Sequence, residues 1–165
     1  MKLRIGNPPV GVEYPVWAWH SIDGKHKKPD LRSVHCRNYS GEMTCIEVEI
    51  PESDVLLSDM VDWHAVLNNL YLPRATNSEE YSAIEEWYKK LPLTEKENEK
   101  LRSWEAIFDT TYVVNDFETR GDLVQATFWE LRYSQVVDVR KYKGRLNIGK
   151  TSNGGVITEQ IIESH

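Results

Sequence analysis

The chain has 165 residues, 40% of them hydrophobic and 28% charged, with a net charge of −6. That length suits one soluble globular domain with a proper core and is short for two. The acidic balance argues against general affinity for nucleic-acid backbones, which takes clustered positive charge, and no run is apolar enough for long enough to cross a membrane.

Residues 1–11 read as an irregular arm holding Pro8, Pro9 and two glycines. No apolar run follows the basic start, so no leader is expected and the cytoplasm is the expected location. Val12 to His20 reads as a strand, with Val16, Trp17, Ala18 and Trp19 apolar on both faces. Such a strand is expected at the centre of its sheet. Trp17 and Trp19 share one face and form a broad wall, either core or the floor of a pocket. Asp23-Gly24 is a turn dipeptide inside a loop that carries Lys25, His26, Lys27 and Lys28.

Leu31 to Cys36 reads as a second strand and Met43 to Ile50 as a third, with Thr44, Ile46, Val48 and Ile50 on its buried face. A turn at Ser40-Gly41 would make these a hairpin and set Cys36 opposite Cys45. In a reducing cytosol the pair stays as thiols. Ser58 or Asp59 caps a helix with Met60, Trp63, His64, Leu67 and Tyr71 at helical spacing. Ser78 to Leu91 is a second helix. Thr94 and Glu97 form a capping box that opens a third, with Leu101, Trp104 and Phe108 on one side. Thr111 to Val114 is extended, and Arg120-Gly121-Asp122 turns the chain. Leu123 to Tyr133 and Val136 to Tyr142 read as strands. A Gly- and Asn-rich loop spans 143–155, and Val156 to Ser164 forms a short helix. The expected fold is a single α+β domain over 1–165, with a mainly antiparallel sheet and a helical insertion at about 58–108.

Gly144 to Thr151 fits the phosphate-loop pattern GxxxxGK[ST], but Ser152-Asn153-Gly154-Gly155 opposes the helix that should follow, so the match reads as chance. His20, His26, His35, Cys36 and Cys45 lack the tight pairs of a zinc site, and no metal is expected. His64 and Asn68 lie four apart on one helix face and could reach a ligand held against Trp17 and Trp19. Glu130, mid-strand among aromatics, needs a partner such as Arg32, Arg132 or a His. It is either half of a surface ion pair or a positioned carboxylate.

Six stretches carry a resemblance: Tyr14-Pro15-Val16-Trp17-Ala18-Trp19, Lys28-Pro29-Asp30-Leu31-Arg32, Ile46-Glu47-Val48-Glu49-Ile50-Pro51, Val55-Leu56-Leu57-Ser58-Asp59, Trp63-His64-Ala65-Val66-Leu67-Asn68-Asn69 and Gln125-Ala126-Thr127-Phe128-Trp129-Glu130. In order and together they resemble the bacterial family called domain of unknown function 3841. The resemblance implies a bacterial or phage protein and carries over no catalytic residue. In that family a strand and a helix precede the Tyr14 block, whereas 13 residues do here, which implies a shortened site.

The leading expectation is a binding module with an aromatic-walled cleft and no catalysis or cofactor of its own, recognising a protein or a nucleotide-like ligand. Its site would use Tyr14, Trp17, Trp19, His20, Arg32, His64 and Asn68. The alternative is an NAD-dependent ADP-ribosyltransferase-like enzyme, with Glu130 or Gln125 on the ribose; it rests on fold-level analogy. Nucleic-acid binding through Lys25, Lys27, Lys28 and Arg32 is disfavoured by the net charge.

Overall fold

The structure, a computed structural model, describes residues 1–145, without the side chains of Val34 and His35. The phosphate-loop pattern runs from Gly144 past 145, and the Val156 to Ser164 helix lies wholly past it; both fall outside the described residues. In chain order the elements are α1 (Lys2–Ile5), β1 (Val16–Ile22), α2 (Val34–Arg37), β2 (Gly41–Val48), β3 (Leu56–Asp59), α3 (Met60–Leu67), α4 (Ser78–Lys90), α5 (Leu93–Ser103), β4 (Val113–Val114), β5 (Thr119–Arg120), β6 (Leu123–Phe128) and β7 (Val136–Gly144). The fold is α+β, with α3 to α5 and a 3-10 turn at Trp104–Phe108 standing between β3 and β4. Among the described residues no helix is long and apolar enough to cross a membrane.

The chain falls into two compact units. The first is Met1–Pro29 with Ile46–Val139, and the second is Asp30–Cys45 with the described residues from Arg140 on. The first unit holds a three-stranded sheet in the order β1-β6-β3, with β1 and β3 both antiparallel to β6. The aromatic strand β1 is therefore an edge, and β6 is the centre. Size explains the exchange. Val124, Ala126, Thr127 and Phe128 of β6 are all buried, and all but Phe128 are compact side chains that allow cover on both faces. The indoles of β1 project from one face and stay about half exposed. β6 also ends at Phe128, short of Tyr133, and Tyr133–Gln135 forms a 3-10 turn, so Glu130 lies past the strand and not within it.

Of the two expected candidates, Ser58 and Asp59, it is Asp59 that caps α3, accepting the Asp62 N–H at 2.9 Å. Its other oxygen accepts the Gly121 N–H at 2.7 Å. Gly121 has φ 67°, and a Cβ there would sit 2.5 Å from the Thr110 carbonyl oxygen, so the turn requires glycine. Around this point lies a charged network that bridges distant parts of the chain. Arg74 pairs with Asp62 and with Glu118 (2.9 Å), and Arg120 pairs with Glu118 (3.2 Å) and with Asp109. Burial raises the Asp62 pKa above its ordinary value; Arg74 opposes the rise, while Asp59 and Glu118 add to it.

Asn77 caps α4 by accepting the Glu80 N–H at 2.9 Å. The capping box expected at Thr94 does not form. Pro92 (φ −57°) precedes the first helical residue, Leu93, so Thr94 lies inside the first turn. Glu97 pairs instead with the buried Lys100 at 2.7 Å.

In the second unit the expected strand over Leu31 to Cys36 is a turn followed by α2. The Asp30 carboxylate accepts the Arg32 N–H at 2.9 Å, and the Arg37 N–H reaches the Ser33 carbonyl at 3.0 Å. Cys36 thus sits in a helical turn and does not face Cys45 across a hairpin; both thiols are free. The local turn signal loses to a distant pairing, because β2 takes β7 as its partner. The expected face of β2 is also overturned in part. Ile46 is 48% exposed, while Glu47 is half-buried and bound to Lys28 at 2.8 Å, so an ion pair takes the inner position. β7 alternates in the same sense, with Val137 and Val139 exposed and Asp138 half-buried.

Candidate functional site

β1 forms because Val16-Trp17-Ala18-Trp19 is aromatic and apolar, which suits a pleated surface. Trp17 stands opposite Thr127 and Trp19 opposite Gln125, so both indoles lie on one face of the sheet. They are 46% and 49% exposed. Asp59 fixes the start of α3, and Trp63 on that helix meets Trp17 with ring centroids 5.8 Å apart, tilted by 48°. Leu67, one turn beyond Trp63 on the same helix face, is 65% exposed. The result is a continuous aromatic and apolar surface from the edge strand onto the helix. Tyr14, largely exposed, precedes it in the chain.

The polar residues expected to join this surface are mostly engaged elsewhere. Nδ1 of His64 donates to the Met60 carbonyl at 2.8 Å, which leaves Nε2 as the ring's acceptor. Asn68 is the C-cap of α3, and its side-chain amide donates to the His64 carbonyl at 2.7 Å. Arg32 is exposed in the second unit and forms a forked pair with Asp30, Nε to Oδ1 at 3.0 Å.

His20 is the extra residue of a β-bulge. The pairing steps from Trp19 opposite Gln125 to Ser21 opposite Val124, and His20 is left between. Its ring lies 4.2 Å from that of His26, centroid to centroid. Partial burial lowers the His20 pKa below 6.5, and the neighbouring His26 lowers it further. Asp23 (φ 54°) and Gly24 (φ 62°) make the turn that brings His26 back, and the Gly24 Cα packs on the Tyr112 ring, where a Cβ would come within 2.3 Å.

Glu130 belongs to a different place. It pairs with Arg132, Nε to Oε1 at 2.7 Å. The two side chains line a half-open cleft of about 190 Å³ with Ile5, Asn7, Asp54, Trp129 and Gln135 among its other walls. None of Tyr14, Trp17, Trp19, His20, His64 and Asn68 lines it. The N-terminal arm forms one wall, held by the Trp129 Nε1–H on the Gly6 carbonyl at 2.9 Å and by Arg4, which stacks 3.8 Å above Phe108 and pairs with Glu105. Pockets that enclose a drug-sized ligand run to roughly 300–1,000 Å³, so this cleft is small for a dinucleotide. Among the described residues no three His, Cys, Asp or Glu side chains gather to hold a metal ion.

Sequence reasoning named Trp17 and Trp19 but placed Trp63 only on its helix, and it missed the His20–His26 contact and the cleft under the arm. The Asp23-Gly24 turn was the available signal for the first. Nothing local signals the second, whose walls come from three separated segments. Comparison with known proteins finds no match among curated proteins or solved structures. The family model described as Domain of unknown function (DUF3841) matches residues 1–137. That match covers most of the 165 residues, and the chain belongs to this family.

Proposed function

We propose that the chain is a recognition module that holds a protein partner against the surface of Trp17, Trp19 and Trp63, without catalysis or a cofactor of its own. One observation carries the reading: two tryptophans, two residues apart on an edge strand, remain about half exposed. Tryptophan is a costly residue to leave in water, and it is enriched among the residues that dominate binding energy. The family resemblance points to a bacterial or phage protein, and the two free thiols suit a reducing cytoplasm.

The NAD-dependent transferase alternative draws less support. It needs Glu130 free to act on a ribose, and here Arg132 occupies that carboxylate. The test compares the wild type with a Trp17→Ser/Trp19→Ser double variant, both checked for cooperative melting, as bait for partners identified by mass spectrometry. A specific partner held by the wild type and lost by the variant supports the reading. Stabilisation by NAD or a nucleotide, together with Glu130-dependent transfer of label from NAD, would overturn it.

A further inference from the structure

β1 is an edge with one side free. β6 pairs with one side, and among the described residues no backbone group from Trp17 to Ser21 has a partner on the other. In an antiparallel pair every second residue turns its N–H and C=O away from the neighbour, so the free edge presents a row of donors and acceptors. The row has defined ends. Pro15, which has no N–H, stands before it, and the bulge at His20 interrupts it. Val16 to Trp19 is left as a regular edge of four residues, bordered on one face by the half-exposed indoles.

Charge distinguishes the surroundings. Beyond the bulge, the turn that closes on Ile22 exposes Lys25, His26 and Lys27. Among the described residues neither Lys25 nor Lys27 forms an ion pair, while Asp23 is the one carboxylate in residues 23–28. The chain as a whole carries −6, so this turn opposes the sign of the rest.

We infer that the free edge of β1 takes up an extended, acidic segment of a partner protein as an added strand, which rests on the recognition reading above. Main-chain hydrogen bonds to Val16–Trp19 would give affinity, and alternate apolar side chains would lie on Trp17 and Trp19. Carboxylates running past the bulge would meet Lys25 and Lys27, adding on-rate and salt dependence.

The probes are two fluorescein-labelled peptides, five alternating Val and Thr residues with four Asp at either the N- or the C-terminus, because the added strand can run in either direction. Controls carry N-methyl groups on alternate valines, or Lys in place of Asp. Fluorescence anisotropy at low salt should show at least one acidic peptide binding, with N-methylation and the Lys exchange each weakening it about tenfold or more. A Lys25→Ala/Lys27→Ala variant should weaken it similarly and flatten its salt dependence, with melting unchanged. If neither acidic peptide binds more tightly than its N-methylated form, strand addition is wrong. The recognition reading would then still stand or fall on partner capture by the Trp17→Ser/Trp19→Ser variant.

Discussion

Replacing Asp59 with Ala tests how the start of α3 is held. The residue is fully buried, and its two oxygens satisfy two amides from separate parts of the chain, Asp62 and Gly121. Losing the cap costs about 0.5–2 kcal/mol. Leaving the Gly121 N–H buried without an acceptor costs about 1–3 kcal/mol more. Removing the charge returns part of this, since Asp59 is one of the groups that raise the Asp62 pKa. The net expectation is a loss of about 2–4 kcal/mol, which for a chain of this size lowers the melting temperature by roughly 4–15 °C. Asp59→Asn keeps one acceptor and should lose about half as much. Urea unfolding of the three proteins, with equal m-values, gives the comparison. An Ala variant within about 0.5 kcal/mol of wild type would refute the argument. An Asn variant as damaged as Ala would show that charge, and not two acceptors, is what the site needs.

Trp19→Ala should cost about 2.5 kcal/mol, because roughly 100 Å² of a half-buried indole returns to water, whereas Phe128→Ala in the central strand should cost about 3–5 kcal/mol. Equal losses in chemical denaturation would mean that the indole is core. Gly121→Ala should destabilise by at least about 1–3 kcal/mol through its positive φ alone, with further loss from the clash on Thr110, and calorimetry would show it. Asp62 binds its proton more tightly folded than unfolded, so its contribution to stability falls as pH rises from the ordinary carboxylate value through the raised one, and is flat above that. Urea midpoints against pH should lose this component in Asp62→Asn, and an unchanged profile would assign the slope elsewhere. NMR titration should find His20 below 6.5, and His26→Gln should move it upward; no movement would separate the two rings.

What the sequence revealed was local. Asp59 announces its helix because a cap is read within four residues, and the helical spacing from Met60 to Leu67 belongs to one element. Trp17 and Trp19 announce a strand with one aromatic face. Their place in the sheet was not legible, because edge and centre depend on partners more than 100 residues away, as in Val16 opposite Phe128. The same limit undid the Cys36–Cys45 hairpin: a two-residue turn signal says that the chain bends, not which strand β2 will meet. Glu130 was misplaced by one element boundary, the kind that drifts by a few residues. The Arg74 network had no signature at all, since Asp62, Arg74, Asp109, Glu118 and Arg120 read singly as solvated charges.

The bulge at His20 gives β1 two reading frames. Up to Trp19 the odd-numbered residues share the face of Gln125; after it Ser21 joins the opposite face with Val124, and Ile22 takes the aromatic side opposite Leu123. Absorbing His20 as a bulge therefore lets a single strand show indoles outward along its first half and still bury Ser21 near its end. Deleting His20 would merge the two frames: Trp19 opposite Gln125 would be followed directly by Ser21 opposite Val124, the plain alternation of a regular strand. Ser21 and Ile22 would keep their faces and the Asp23-Gly24 turn its side of the sheet, while the added local twist of the bulge and the His20–His26 ring contact would be lost.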